Sequence, residues 1–292
     1  MTLTKPLNLL LNRSPSENYR RLKAKIFTGT SDFLYDLDTV LRSKRHMDAR
    51  HQIDRLFRYQ RVIQNQIEWE GLNFEGKTVL EFGCGPLLGW GPIAVYLGCP
   101  HYICVEPRFH NDILQAEAIH NRYFLPLHQQ LEAIFQRNVP FDEFKGRLFS
   151  QIETHAMPLE MCKLPEDSVD LIISNGVLQH IMDLSGSFQQ MQHMAHSDTK
   201  QFHVLNFTDH GGRPEKPFDK IYTQSPQEYF KKSSLLNLKR PSEMMKLFED
   251  HGFEMVLVPY YRDEYVANAI QNDYWKKFNH DDLSIQIAFI IN

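Results

Sequence analysis

Two carboxylates flank a bare chain reversal between Thr78 and Glu106. An apolar run ends in Glu81, and Gly83 and Gly85 follow it within Thr78-Val-Leu-Glu-Phe-Gly-Cys-Gly-Pro-Leu-Leu-Gly89. Glycine suits such a turn because a side chain would keep a ligand away from the backbone. The N–H groups that open the next helix favour a carboxylate or phosphate. A second apolar run, Ile103-Cys-Val-Glu106, also ends in an acid, and its two acceptor oxygens match the paired hydroxyls of a ribose. Together these groups have the chemistry of a nucleoside cofactor site. The dinucleotide fingerprint G-x-G-x-x-G is not met: Leu88 holds the third glycine position and Gly89 comes one residue late. An acid ending the first strand is also unusual for a nicotinamide site, so an NAD-linked oxidoreductase is disfavoured.

Proton transfer calls on other residues. Histidine titrates near neutral pH and is the natural base for an acceptor hydroxyl or amine. Of the 14 histidines, His180 follows the apolar run Val169–Ser174, and His210, beside Asp209, follows Phe202–Phe207. His180 reads either as a substrate contact or base or as a packing residue, and Asp209 with His210 either as an acid-oriented base or as a loop-capping pair. His203, which alternates with apolar neighbours inside its run, is a third candidate, with a strand residue as the alternative. A metal set of His203, Asp209 and His210 would have to span a strand turn, so no metal is expected. Cys162 has no group nearby to activate its thiol. Between 208 and 240, Arg213, Lys216, Lys220 and Arg240 interleave with Phe218, Tyr222 and Tyr229. Such a stretch either grips a phosphate, sugar or nucleotide or is a solvated loop.

The elements that position these groups fall into two parts. Residues 1–70 are read as a helical cap or lid, with Leu37, Leu41, Ile53, Leu56, Ile63 and Ile67 at roughly helical spacing. Residues 71–292 form the main domain. Strands are predicted at Thr78–Phe82, Tyr102–Glu106, Arg147–Ile152, Val169–Ser174, Phe202–Phe207, Phe253–Val258 and Ile285–Ile291. Helices are predicted at Pro92–Gly98, Ile113–Phe135, Phe188–His196 and Pro241–His251. This alternation implies an α/β fold, a mostly parallel sheet with helices on both faces. The last two strands suit an antiparallel pair. Insertions are expected near 107–145 and 208–240, and connections of that length tend to be functional.

In order along the chain, these motifs resemble the class I S-adenosylmethionine-dependent methyltransferases. VLEFGCGPLLG resembles their first motif and ICVEP the second. LPEDSVDLIISNGVLQHI (164–181) resembles the segment holding strand four, FHVLNFTDH (202–210) strand five, and KLFEDHGFEMVLV with SIQIAFII the closing strands. The resemblance implies a Rossmann-like seven-stranded sheet and S-adenosylmethionine as cofactor. Carried over by position, it implies that Glu81, Gly83 and Gly85 line the methionine end and that Glu106 holds the ribose. Pro158, Leu159 and Glu160 would flank the adenine, and Asn175 and Gly176 would face the sulfonium. Two positions depart from the pattern: Leu87 replaces a third glycine, and Pro158 replaces a frequent Asp. The tail, from His203 to Phe253, also resembles a subset of bacterial methyltransferases, many of which modify glycans or small secondary metabolites.

Bulk properties narrow the partners. The formal charge of −4 provides no basic field for nucleic acid or an anionic membrane. The longest apolar runs fall well short of the ~20 residues of a membrane span. The N-terminus shows no charged region ahead of an apolar core, so it is not read as a signal peptide. Four cysteines without metal-ligand spacing suit reduced thiols and a cytoplasmic protein. The expectation is methyl transfer to a small molecule, a sugar or secondary-metabolite intermediate, with oxygen preferred to nitrogen. The alternative is a cofactor-binding partner or sensor without activity. The oligomeric state stays open.

Overall fold

The computed structural model describes residues 35–210, 215–233 and 235–292. The part of the expected cap over residues 1–34 lies outside them. In the described part of that segment, helix α1 (Leu37–Arg42) precedes α2 (Ala49–Gln64). Helix α2 buries Ala49, Ile53, Leu56, Tyr59 and Ile63, a stripe at spacings of three and four. Burial of each large apolar side chain in that stripe contributes about 1.5–3 kcal/mol.

The main domain alternates β1 (Thr78–Phe82), α3 (Gly91–Tyr96), β2 (His101–Val105), α4 (Leu125–Phe135), α5 (Phe141–Gln151), β3 (Ile152–His155), β4 (Val169–Asn175), α6 (Leu184–Met194), β5 (Ala195–Asn206), α7 (Pro241–Asp250), β6 (Val256–Arg262) and β7 (Ile285–Ile291). The seven strands form one sheet in the order β3-β2-β1-β4-β5-β7-β6. Strands β1 to β5 pair in parallel, and β7 runs antiparallel between β5 and β6. This is a Rossmann-like α/β fold. Its strand order reverses between β1 and β4, and at such a point the connections diverge and leave a crevice at the carboxyl edge.

Alternate residues of the central strands feed two cores. Val79, Tyr102, Cys104, Leu171 and Ile173 face one, together with the apolar stripe of α2. Leu80, Phe82, Ile103, Val105 and Ile172 face the other, with Phe188, Met191 and Phe248 from α6 and α7. Because both faces are covered, these strands read as nearly continuous apolar runs.

The strand expected at Arg147–Ile152 is a correction. Residues 141–151 are helical, and the strand begins only at Ile152. Phe144 and Leu148, four apart, bury together in the core that holds Tyr96, and Phe149 is left exposed. Packing of that helical face overrode a local alternation that reads equally well as a strand.

Candidate active site

Past β1 the chain turns through Gly83, Gly85 and Gly89, all with positive φ, as is Leu88 at +66°. Glu81 closes this loop. Its Oε2 accepts the Trp90 N–H at 2.8 Å and the Tyr102 hydroxyl at 2.6 Å. The helix-entry N–H that the sequence offered to a ligand is therefore taken by the protein's own acid. A β-carbon on Gly89 would overlap that carboxylate, so Gly89 is the glycine that Glu81 requires. Leu87 and Leu88 are buried beneath the turn. The backbone of Gly85, by contrast, has nothing within 4 Å of an added β-carbon.

Glu106 follows β2 and is 6% exposed. Its carboxylate accepts the Gly85 N–H at 3.2 Å and the Arg108 N–H at 3.1 Å, which ties the second acid to the glycine loop. Asn175 ends β4, and the Gly176 N–H donates to the Val204 carbonyl at 2.8 Å. Pro158, Leu159 and Glu160 form the turn after β3.

All nine of these expected cofactor residues border one cavity of about 1090 Å³ at the β1/β4 reversal. That is the upper end of the ~300–1,000 Å³ typical of small-molecule sites, enough for a cofactor with a small second molecule beside it.

His180 lines the same cavity from a single turn after β4. Its Nδ1 lies 2.7 Å from the Leu235 carbonyl oxygen. A carbonyl only accepts, so Nδ1 carries a proton and Nε2 is the ring nitrogen left to face the cavity side. Asn237 clamps this turn. Its Nδ2 donates to the Leu178 and Ile181 carbonyls at 2.8 Å each, and its own N–H donates to Gln179 at 2.9 Å.

His210 stands edge-on to His180 with ring centroids 4.7 Å apart, but it does not border the cavity. Burial first, then the neighbouring His180, holds its pKa below the ordinary value, and Asp209 opposes them. The Asp209 carboxylate lies 3.9 Å from Lys220, and its N–H donates to Pro217. His203 is buried between Ser174 and Gln201, and burial pushes its pKa down to about 3. Among the described residues no three His, Cys, Asp or Glu side chains converge on a metal position. All four cysteines are buried and free of disulfides. Burial and neighbouring acids push the Cys162 thiol up to about 11, which keeps it protonated and unreactive.

The basic–aromatic stretch divides: its aromatics and Arg240 are core, Lys216 and Lys220 are on the surface, and Arg213 lies outside the described residues. Phe218, Tyr222 and Tyr229 pack with Trp275. Arg240 is 1% exposed and donates to the carbonyls of Phe207, Asp282, Leu283 and Ile285. It ties β5, α7 and β7 together and does not reach the cavity.

The sequence reading missed the cavity's opposite wall, which the N-terminal segment supplies: Arg45, His46, His51, Gln52 and Arg55. Arg55 donates to Gln52 Oε1 at 2.7 Å and, with the Asn175 amide turned toward it, to Asn175 Oδ1 at 3.3 Å. Its guanidinium also lies over the Trp90 ring at 5.8 Å. The available signal was local: residues 51, 52 and 55 flank the apolar stripe of α2 on one side.

A family model described as a methyltransferase domain matches residues 42–258. The chain belongs to the methyltransferase-domain family. It is a class I methyltransferase by motif order and fold, and its cofactor is S-adenosylmethionine. Similar solved structures include an S-adenosylmethionine-dependent methyltransferase from Aquifex aeolicus (13% identity, 88% of this chain and 97% of that one, TM-score 0.43). Another is an S-adenosylmethionine-dependent methyltransferase from Mesorhizobium loti (12% identity, 79% of this chain and 95% of that one, TM-score 0.42). A third is phosphoethanolamine N-methyltransferase 2 of Haemonchus contortus, solved with phosphomonomethylethanolamine and S-adenosylhomocysteine (11% identity, 87% and 59%, TM-score 0.45). No curated protein matches the chain in sequence.

The methyltransferase cavity fits its cofactor on its own terms. The open backbone at Gly85 admits a ligand that any side chain would obstruct, and the Glu106 carboxylate stands on the cavity wall. No helix among the described residues is long and apolar enough to cross a membrane.

Proposed function

We propose that this methyltransferase transfers a methyl group to a small-molecule acceptor, with oxygen preferred to nitrogen, and that His180 is the base. The observation that carries the proposal is the pinned tautomer of His180 on the wall of the cavity that holds Gly85 and Glu106. S-adenosylmethionine supplies an electrophilic methyl on a sulfonium; the chain's part is alignment, exclusion of water and removal of a proton.

Each wall has a share in this reading. Gly83 and Gly85 leave room for the cofactor, with Glu81 locking the turn. Glu106 accepts the ribose hydroxyls, Pro158 to Glu160 flank the adenine, and Asn175 and Gly176 border the methionine end. The acceptor enters between His180 and the N-terminal segment. With Nδ1 committed to Leu235, His180 Nε2 takes the acceptor proton; His210 packs edge-on to that ring from outside the cavity, and the charge of Asp209 acts on His210. The described part of the N-terminal segment, residues 35–70, acts as a lid over the catalytic domain 71–292, and α2 closes one side of the cavity.

Calorimetry with S-adenosylmethionine, S-adenosylhomocysteine and NAD tests the cofactor half, and binding of NAD alone would overturn it. A panel of hydroxylated and amino acceptors, read by S-adenosylhomocysteine release, tests the rest. Cofactor binding without turnover on any acceptor would favour a binding partner over an enzyme. Unchanged turnover in His180→Ala would remove the base, and unchanged turnover in His210→Ala would remove its support.

A further inference from the structure

Helix α2 sorts its charges by face. Asp48 caps its N-terminus by accepting the His51 N–H at 3.0 Å, and Asp54 pairs with Arg50 at 2.8 Å on the exposed side. The cavity side carries His51, Gln52 and Arg55, and the preceding turn adds Arg45 and His46. No acid of this segment lines the cavity.

The four cavity carboxylates all belong to the opposite walls, and each has protein donors. Glu81 and Glu106 are engaged as described above, Glu160 accepts from the Ser187 hydroxyl at 3.3 Å, and Asp183 accepts from the Ser185 N–H at 3.1 Å. Of the cavity arginines only Arg108 reaches a carboxylate, Glu106 at 3.7 Å. Among the described residues Arg45 and Arg55 form no ion pair, and the partners of Arg55 are neutral amides and a ring. Arg45 acts across the mouth as well, since its charge helps depress His46, His51 and His210 alike.

Glu81 acts on Arg55 at longer range but forms no ion pair with it, and a concave wall that carries two guanidinium groups outside any ion pair favours an anion. S-adenosylmethionine offers a single carboxylate, and a wall with two arginines has capacity for a further anion. We infer that Arg45, His51 and Arg55 form the acceptor's anion subsite, taking a carboxylate or phosphate of the methyl acceptor while its nucleophilic atom faces His180. Guanidinium groups suit either oxyanion because their fork of N–H donors matches two oxygens at once. This inference rests on the methyl-transfer reading of the cavity and names its substrate class.

Calorimetry on the full chain separates the possibilities. S-adenosylhomocysteine and 5′-methylthioadenosine, which lacks the amino-acid carboxylate, are titrated into the wild type, Arg45→Gln and Arg55→Gln. Inorganic phosphate and acetate are then titrated into each protein saturated with S-adenosylhomocysteine. The expected result is S-adenosylhomocysteine affinity within about threefold of wild type in Arg45→Gln, the variant on which the cofactor arm is read, with phosphate or acetate binding at least tenfold weaker in both variants. Arg45 is exposed, so Arg45→Gln keeps the fold and carries the test should Arg55→Gln unfold. Weakened S-adenosylhomocysteine with unchanged 5′-methylthioadenosine would overturn the inference by giving the wall to the cofactor's own carboxylate. Equal anion binding in wild type and variants, or none in either, would overturn it too. Failure of the wild type to bind either nucleoside would instead sink the methyl-transfer reading.

Discussion

Gly83 packs directly against Val177: a β-carbon built on the glycine would overlap Cγ2 of that valine and lie 2.9 Å from Cγ1. The loop after β1 and the loop after β4 therefore brace each other on either side of the strand-order reversal. Gly83 is also at a φ of +71°, a region that strains any other residue. Overpacking and backbone strain together give Gly83→Ala an expected cost of roughly 2–4 kcal/mol. Adding Val177→Ala should recover part of it. Urea unfolding checks both, and a single variant as stable as wild type would contradict the packing.

Gly85 has the same φ but faces open space. Gly85→Arg is expected to keep the fold, at a cost of about 1–2 kcal/mol for the left-handed backbone. It should lower S-adenosylhomocysteine affinity more than tenfold by filling the cavity. Wild-type affinity in a folded Gly85→Arg protein would show that the ligand lies elsewhere.

Glu106→Gln preserves shape and removes charge. Hydrogen bonds to a charged acceptor contribute about 1.5–3 kcal/mol, so the cofactor is expected to bind roughly 10- to 100-fold more weakly. The affinity for adenosine should fall in parallel, since the loss concerns the ribose. A change confined to ligands that carry the methionine tail would argue against this placement.

Asn237→Ala strips the clamp from the His180 turn and leaves the Leu178 and Ile181 carbonyls without their donor. The expected outcome is a kcat at least tenfold lower with S-adenosylhomocysteine affinity unchanged. His180→Gln should lose turnover while keeping that affinity, whereas Asn237→Ala should retain measurable turnover. Equal kcat in Asn237→Ala and wild type would dismiss the clamp.

His203 makes stability depend on pH. Burial holds its pKa at about 3 against an ordinary 6.5, so between those values the unfolded chain binds a proton that the folded chain does not. Its contribution is complete above pH 6.5 and is lost as the pH falls toward 3, with a ceiling of roughly 5 kcal/mol. A His203→Gln variant should show a flatter loss of stability over this window in urea titrations. Identical slopes would mean that other groups govern acid unfolding.

Much of the fold was legible because its signals are local. Thr78–Phe82 and Ile285–Ile291 are strands with the expected limits, since a parallel or enclosed strand buries both faces and announces itself as an apolar run. Arg147–Ile152 failed because Phe144 and Leu148 found a helical partner surface in the core around Tyr96. Arg240 was read with a basic surface stretch, yet four main-chain carbonyls and three aromatic rings drew it inward.

By itself the sequence determined the bare turn at Gly83 and Gly85, the acid at the end of each of the first two strands, and the alternation that builds a mostly parallel sheet. Side-chain size, backbone freedom and burial period are properties of neighbouring residues, and they survive in the linear text. Only the tertiary structure decided that Arg55 meets Asn175 and that Leu235 orients His180. Those pairs stand far apart along the chain, and what joins them is the packing of α2 and of the 208–240 segment over the sheet's carboxyl edge, which no local pattern encodes.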